Sequence, residues 1–526
     1  RPPSGGGGCA APSPERPPRA GYTRPMLQQM LAVTGEHGPV HHAVHLVVGM
    51  LAIASAVGIA VKYVRLPYTI ALVLVGLLIA IMGAAPEGAY LSEELVLLLF
   101  LPPLLFQAGL HTDLDHLRRA WFVVLVLAVP GVLITTGLIA VLARPFLAAA
   151  LGEENVTWTV ALLLGVVMAS TDPISVMAAF KAAGVPEKLK TVVEGESLFN
   201  DGTCVAFYGV LKGAIIAGVA AGMLGGATIG DAPADAGPGE HRAFVEIERV
   251  VEAEAAVGEA LVAAAGEASG AGHAGDAGAA QEESLAEQAR VTPAEVAMEF
   301  VRVAGLGTIF GLGLGLIAFW LLKQIEDHTL EVGITIALAF GSFVLAESSG
   351  GSGVIAVVIS ALIMGNYGTV LGMSPRTRET LTGFWDSIDF VVNSILFLLI
   401  GFELSDPSIG GPARLLSPDV LLCAGAVLAA LFLARALLVY PTVMLAKPDW
   451  PKGWKHVIWF AGIRGSLSLA LVLGLPPGEL RGFLVPVAFV VVLVSLVGQS
   501  LLMPFVIRFA GAHDPERADP AHMNEA

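Results

Sequence analysis

Long apolar stretches recur along almost the whole chain, and they restrict its fold more than any other feature. We count thirteen of them, and each is long enough as a helix to cross about 30 Å of hydrocarbon. Hydrophobic residues make up 55% of the 526 residues and charged residues only 14%, which is outside the usual composition of soluble domains. Lipid requires backbone groups to be paired within their own segment, and the runs lack barrel-type alternation. We therefore predict an all-α polytopic membrane protein with about 13 transmembrane helices.

The predicted spans divide into six helices, one linker helix and six further helices. They cover residues 43–61, 67–84, 93–111, 120–143, 156–180, 189–219, 296–322, 329–347, 352–371, 383–403, 418–446, 455–475 and 482–508. This division is expected of a transporter built from two inverted six-helix repeats. Pro173 interrupts the fifth span, and Gly462 and Gly465 interrupt the twelfth. Interrupted helices at matching positions of two repeats indicate a binding site near the membrane midplane.

The remaining segments complete the domain organisation. The predicted domains are a disordered N-terminal segment (1–42), the first repeat (43–219), an insertion (220–295), the linker helix (296–322), the second repeat (329–509) and a short cytoplasmic tail (510–526). The insertion is rich in Ala, Gly and Glu. Residues 229–295 hold 14 acidic and 3 basic side chains, so most of the formal net charge of −16 lies there. We interpret it as a solvated loop of unknown role, with a surface helix over 244–265.

The basic residues of the short loops indicate the orientation in the membrane. One side of the predicted topology holds Lys62, Arg65, Arg118, Arg119, Lys181, Lys188, Lys190, Lys323, Arg376, Arg378, Lys447, Lys452 and Lys455, whereas the opposite loops hold few basic residues. The positive-inside rule makes that side cytoplasmic. The N-terminus and the acidic insertion are then outside, the C-terminus is inside, and the chain is a multi-pass protein of the cell membrane.

An acidic residue and a proline lie together inside the apolar fifth span, in the run Ala169-Ser170-Thr171-Asp172-Pro173. Pro173 has no N–H and clashes with the carbonyl four residues earlier, so backbone oxygens near Ala169 and Ser170 lose their partners. The Asp172 carboxylate then stands beside unpaired carbonyls, and hard cations prefer oxygen ligands of this kind. The alternative is a simple proline kink in which Asp172 bonds to a neighbouring helix.

The sixth span contains a second acidic run. Its four-residue spacing places Ser197 and Asp201 on one helix face, and Glu196 and Asn200 form the adjoining stripe. A charged residue at the centre of a membrane helix costs ~2.5–3.5 kcal/mol, so Asp172, Glu196 and Asp201 together oppose insertion by about 10 kcal/mol unless paired or solvated. That cost favours a functional role over purely structural hydrogen bonding.

Two arginines also lie well inside apolar spans, Arg435 in the eleventh and Arg464 in the interrupted twelfth. Each needs an acidic partner, and Glu196 suits one of them, because a permanent ion pair there leaves Asp201 free to change its protonation state. Arg435 is the favoured partner, since Arg464 could face carbonyls freed at its own break. Either arginine could instead snorkel or meet a water-filled cavity.

Five motifs carry a family resemblance. They are FLPPLLF at residues 100–106, TDP at 171–173, GESLFNDG at 195–202, NSILFLLIG at 393–401 and GIRG at 462–465. Their order and spacing across residues 43–509 resemble the monovalent cation:proton antiporter-1 family, which includes bacterial NhaP-type and animal NHE-type exchangers. The resemblance implies a homodimer in which a core domain, holding the ion at crossed, partly unwound helices five and twelve, moves against a dimerisation domain.

The resemblance also implies the ion ligands. Asp201 would be the carboxylate shared by Na⁺ and H⁺, and Asp172, Thr171 and Ser197 would complete the site. K⁺ in place of Na⁺ at Asp172 and Asp201 is the alternative, because nothing in the sequence sets the size of the ion cavity.

Further positions are implied to structure the site. Glu196 with Arg435 resembles the family's structural ion pair, and Arg464 would stabilise the crossing. Asn200 before Asp201 resembles the electroneutral branch, which trades one cation for one proton. Gln107 stands where many relatives have an acid, although its amide oxygen could still coordinate, and Asn393 is a second accessory candidate.

The sequence therefore predicts a secondary transporter that exchanges Na⁺ for H⁺ by alternating access. Burial disfavours the charged form of a carboxylate, which lets protons compete with a cation for it. K⁺/H⁺ exchange on the same scaffold is the alternative reading, and a passive cation channel or a membrane receptor is a further one. No phosphate-binding loop, metal-spaced His/Cys cluster or nucleophile–base arrangement is present in the sequence. We predict neither an enzyme, nor a cofactor, nor a nucleic-acid partner.

Overall fold

A computed structural model of the chain describes residues 39–512 except 65–66, 87–88, 90, 154–155, 225–292, 326, 373–374, 404–413, 447–449 and 476–477. The chain divides into two compact units, Arg1–Gly49 and Met50–Ala526. In the first unit the described residues, 39–49, are helical. Most of the predicted N-terminal segment 1–42, most of the insertion 220–295 with its expected surface helix, and the tail beyond residue 512 lie outside the described residues.

Every regular element within the described residues is helical. The first group comprises α1 (Pro39–Val64), α2 (Tyr68–Ile81), a π-helical turn (Leu95–Phe100) leading into α3 (Leu101–His111), α4 (Leu114–Ala128), α5 (Pro130–Leu151), α6 (Trp158–Ala169), α7 (Pro173–Ala183) and α8 (Glu187–Leu224). The second comprises α9 (Pro293–Leu322), α10 (His328–Ser348), α11 (Gly353–Ile363) with a π-helical extension (Met364–Gly372), α12 (Pro375–Phe402), α13 (Pro418–Ala446), α14 (Trp454–Phe460), α15 (Ser466–Leu473), α16 (Glu479–Leu493), a π-helical turn (Val494–Gln499) and α17 (Ser500–Phe509). The prediction of an all-helical protein is confirmed.

Seven of the described helical stretches are long and apolar enough to cross a membrane, and four shorter apolar helices accompany them. Large apolar side chains are also exposed along single helices. On α9 these are Met298, Val301, Ile309, Leu312, Leu316, Ile317, Trp320 and Leu321. Such a surface suits lipid rather than water. The prediction of a polytopic membrane protein is therefore confirmed, whereas the count of thirteen spans and the inverted repeats stay predictions.

The fourth predicted span, 120–143, is longer in the structure and is kinked. Helix α4 begins at Leu114 because the Asp113 side chain accepts hydrogen bonds from the N–H groups of Asp115 and His116, which caps the helix. Pro130 then opens α5, where its missing N–H breaks the helical ladder. Arg118 and Arg119, which the sequence placed in a loop, lie in the first turns of α4.

Two helices are interrupted where the sequence predicts breaks. Helix α6 ends at Ala169 and α7 begins at Pro173, and α14 ends at Phe460 while α15 begins at Ser466. The two interruptions touch, because the N–H of Asp172 donates to the carbonyl of Ile463 at 2.7 Å. The backbone polar groups of one break are thus partly satisfied by the other, as membrane burial requires.

Candidate cation-binding site

Two buried carboxylates, those of Asp172 and Asp201, lie where α8 passes the interruption between α6 and α7. Asp201 of α8 accepts a hydrogen bond from the Ser170 hydroxyl at 2.9 Å. One turn earlier on α8, the Ser197 hydroxyl lies 3.0 Å from that of Thr171. Asp201 is 8% exposed and Asp172 is 9% exposed. The structure therefore brings the four predicted ligand-bearing residues, with Ser170, to one buried place.

The position of Asp172 depends on a close approach of the other interrupted helix. Its Oδ1 atom caps α7 by accepting the N–H of Ile174 at 3.1 Å. A Cβ atom added to Gly465 would lie 2.5 Å from the Cβ of Asp172, closer than real contacts allow. Only glycine at position 465 lets the two breaks approach this closely.

Asn200 of α8 contacts the interruption between α6 and α7. Its amide nitrogen donates to the carbonyl of Ala169 at 3.2 Å, and its amide oxygen accepts the Cys204 thiol at 3.0 Å. These contacts give it a structural position beside Asp201.

Arg464 faces the carbonyls that Pro173 leaves without partners. Its Nη1 atom donates to the carbonyls of Ala169, at 2.5 Å, and of Ser170, at 2.8 Å. In an unbroken helix the carbonyl of Ala169 would accept from residue 173, which as proline has no N–H. Arg464 is 1% exposed, and its own N–H donates to Ser495 at 3.0 Å. One possibility left open by the sequence placed Arg464 at the carbonyls of its own break, but Arg464 lies against those of the opposite break.

Arg435 of α13 pairs with Glu196 of α8. Two parallel hydrogen bonds join them, Nη1 to Oε1 at 2.5 Å and Nη2 to Oε2 at 3.1 Å. Arg435 also donates to the carbonyls of Ile458 and Trp459 at the end of α14. A Cβ on Gly462 would lie 2.4 Å from the Arg435 side chain. Of the two arginines that the sequence left open, the one in contact with Glu196 is Arg435.

The two accessory candidates lie apart from these contacts. The Gln107 amide nitrogen donates to Asp386 of α12 at 3.3 Å. Asn393, also on α12, donates to Asp389 at 2.8 Å. Sequence reasoning missed Asp386 and Asp389, although acids within or beside an apolar span were the signal that identified Asp172. It also missed the Ser170 hydroxyl as a partner of Asp201.

The charges of the site nearly balance. Asp172 and Arg464 both act electrostatically on Asp201, and Glu196 and Arg435 neutralise each other. Two ionised aspartates and one arginine leave one negative charge. Because the available ligands are oxygens of carboxylates and hydroxyls, the arrangement suits either one hard monovalent cation or one proton.

Comparison with known proteins places the chain among ion exchangers. Residues 50–236 and 243–508 match the family model described as "Sodium/hydrogen exchanger, transmembrane". The Na⁺/H⁺ antiporter NhaG of Bacillus atrophaeus is 32% identical over 495 residues, which cover 92% of this chain and 78% of that protein. The Na⁺/H⁺ antiporter NhaP of Pseudomonas aeruginosa is 30% identical over 486 residues, covering 88% and 95%. The structure of the sodium proton antiporter MjNhaP1 of Methanocaldococcus jannaschii has the same fold, with a TM-score of 0.61 at 17% identity over 89% of this chain and 99% of that one.

Proposed function

Because this chain belongs to the sodium/hydrogen exchanger family, we propose that it exchanges Na⁺ for H⁺ across the cell membrane by alternating access. It is a transporter and not an enzyme. The observation that carries the assignment of the site is the burial of Asp201 and Asp172 together where two interrupted helices touch. Asp201 is the carboxylate that Na⁺ and H⁺ share, and Asp172, Thr171 and Ser197 are its co-ligands.

The charge of the site supports a one-to-one exchange. With Asp172 and Asp201 ionised and Arg464 cationic, the empty site carries one negative charge, which is costly to move through a low-dielectric interior. One Na⁺ or one H⁺ removes that cost. If reorientation occurs only in the neutral states, a gradient of either ion drives the other, and the exchange is electroneutral.

The remaining polar residues hold the site. Glu196 and Arg435 tie α8 to α13 and to the end of α14 through the contacts given above. Arg464 joins the two interruptions by its bonds to Ala169 and Ser170. We assign these residues structural roles, with no direct contact to the ion.

We also propose the topology read from the sequence, with thirteen spans, two inverted repeats, the N-terminus outside and the C-terminus inside. Contacts near the helix ends support the assignment of each group of ends to one side of the membrane. Asn366 bonds to the backbone of Thr112 and Leu114 on the side assigned to the cytoplasm. On the opposite side, the N–H of Leu91 donates to Glu403 at 3.1 Å. A homodimer is proposed from the family resemblance.

The central test is the substitution Asp201→Asn in proteoliposomes that contain a pH-sensitive dye. We expect cation-driven proton movement in the wild type and none in the variant, because an amide cannot exchange a proton for Na⁺. Asp115→Asn, at an exposed aspartate of α4, is the matched control and should exchange normally. Near-normal exchange by Asp201→Asn would overturn the assignment. Imposing Na⁺, Li⁺ and K⁺ gradients in the same assay decides between Na⁺/H⁺ and K⁺/H⁺ exchange.

A further inference from the structure

A line of polar residues lies along one face of α12, and its members become more buried from the surface towards the interior of the protein. Asp386, Asp389 and Asn393 follow the i, i+3, i+7 spacing that places side chains on one face of a helix. The side chain of Asp386 is 55% exposed, Asp389 is half-buried and Asn393 is 5% exposed. The candidate exchange site accounts for none of these three residues.

The outer end of this line faces α3. Asp386 lies 3.5 Å from Nε2 of His111 and accepts from Gln107 at 3.3 Å. Both Asp386 and His111 lie next to segments that the basic residues assign to the cytoplasm. A cation on that side therefore meets an exposed carboxylate at the start of the line.

The inner end lies within electrostatic reach of the exchange site. The charges of Asp386, His111 and Asp172 all act on Asp389. No Lys or Arg of the described residues forms an ion pair with Asp389. A half-buried carboxylate with two acidic neighbours and no such pair favours a cation from solution.

An unpartnered buried oxygen lies beside this carboxylate. The Asn393 amide nitrogen donates to Oδ1 of Asp389 at 2.8 Å, whereas the Asn393 amide oxygen is buried and has no hydrogen-bond partner among the described residues. A buried acceptor left without a partner is destabilising, because it has lost its hydrogen bond to water. Carboxylate and amide oxygens are the ligands that hard cations take.

We propose that Asp389 and Asn393 form a second binding station for a monovalent cation, between the cytoplasmic surface at Asp386 and the exchange site at Asp172 and Asp201. The station loads the cation before it reaches the exchange site, so it sets the concentration dependence of exchange and not its maximal rate. This assignment rests on the proposed exchange function.

The transport test uses everted membrane vesicles, which expose the cytoplasmic face of the full chain. We expect Asp389→Asn to raise the Na⁺ concentration for half-maximal exchange by about tenfold, which corresponds to ~1.4 kcal/mol, while the maximal rate stays within about twofold. Asn393→Ala should also raise the half-maximal Na⁺ concentration, and Asp389→Glu should keep it near the wild-type value. Glu379→Gln, at an exposed acid on the same helix, is the matched control and should not change it.

A binding test separates the station from the exchange function. In purified Asp201→Asn protein, NaCl should raise the thermal unfolding midpoint above that in choline chloride of equal ionic strength, and adding Asp389→Asn should remove this difference. If the wild type exchanges no cation, the exchange function is refuted. The difference in unfolding midpoint between NaCl and choline chloride then tests by itself whether the station binds Na⁺. The station is refuted if Asp389→Asn changes neither the half-maximal Na⁺ concentration nor the stabilisation, or if it lowers only the maximal rate.

Discussion

Glu196 and Arg435 show how charged residues are kept inside apolar helices at the scale of single side chains. The two side chains are 3% and 8% exposed, and their bidentate geometry satisfies both charged groups. Such a pair gives little net stability over apolar residues, because both ions lose their hydration. Breaking it is different, since the remaining charge is then buried without a partner.

We therefore predict that Glu196→Gln or Arg435→Met alone lowers the free energy of unfolding by ~3–5 kcal/mol. Denaturant titration of the purified protein in detergent measures this change. The double variant should be more stable than either single variant, because it leaves no unpaired charge.

The exposed pair Glu299 and Arg302 provides the control for that prediction. Its side chains are 40% and 54% exposed, although its ion pair is as short as that between Glu196 and Arg435. Removing Arg302 should cost less than about 1 kcal/mol, because water replaces the lost contact. Equal losses at the exposed and buried pairs would contradict the explanation by burial.

At the scale of helices, the candidate site lies where two interrupted helices touch. Pro173 ends the hydrogen-bond ladder of α6, and the freed carbonyls are taken by Arg464 from the other interruption. Gly465 permits the approach, because a side chain there would meet Asp172. Neither interruption satisfies its backbone groups alone, so the two form one structural unit.

We predict that Gly465→Ala separates the interruptions and abolishes exchange, at a cost of ~1–3 kcal/mol in stability from overpacking. Gly425→Ala on α13 is the matched control, since no atom lies within 4 Å of the added Cβ. The comparison uses transport in proteoliposomes and denaturant titration of the same preparations. Normal exchange by Gly465→Ala would show that the close contact with Asp172 is not required.

At the scale of the whole molecule, the proposed coupling arises from competition of Na⁺ and H⁺ for one buried carboxylate. This mechanism needs no separate energy source, provided that the neutral loaded states reorient and the charged empty state does not. Since protons and Na⁺ compete, lower pH favours the protonated site.

We predict that the Na⁺ concentration for half-maximal exchange rises as pH falls, approaching about tenfold per pH unit where the site is mostly protonated. The maximal rate at saturating Na⁺ should change less over the same range. Initial rates in proteoliposomes with equal pH on both sides measure both quantities. A half-maximal concentration that does not depend on pH would exclude a shared site.

The fold class, the helix interruptions and the candidate charged residues of this protein can be predicted from local sequence. Apolar runs without barrel-type alternation determine the helical membrane class, because such a run in lipid pairs its backbone groups within its own segment. Pro173, Gly462 and Gly465 mark the two interruptions, since the loss of an N–H or of a side chain acts on the segment that contains it. The cost of burying charge marks Asp172, Glu196, Asp201, Arg435 and Arg464 as important before any contact is known.

Only the tertiary structure decides which of these groups meet. Glu196 is 239 positions from Arg435, and Arg464 is 295 positions from the carbonyl of Ala169 that it binds. Both arginines were chemically suitable partners of Glu196, and the fold brings only Arg435 within hydrogen-bond distance of it. Asp386 likewise meets Gln107 and His111 only because α12 packs against α3. Charge and periodicity are properties of a segment, whereas partners depend on how distant segments pack.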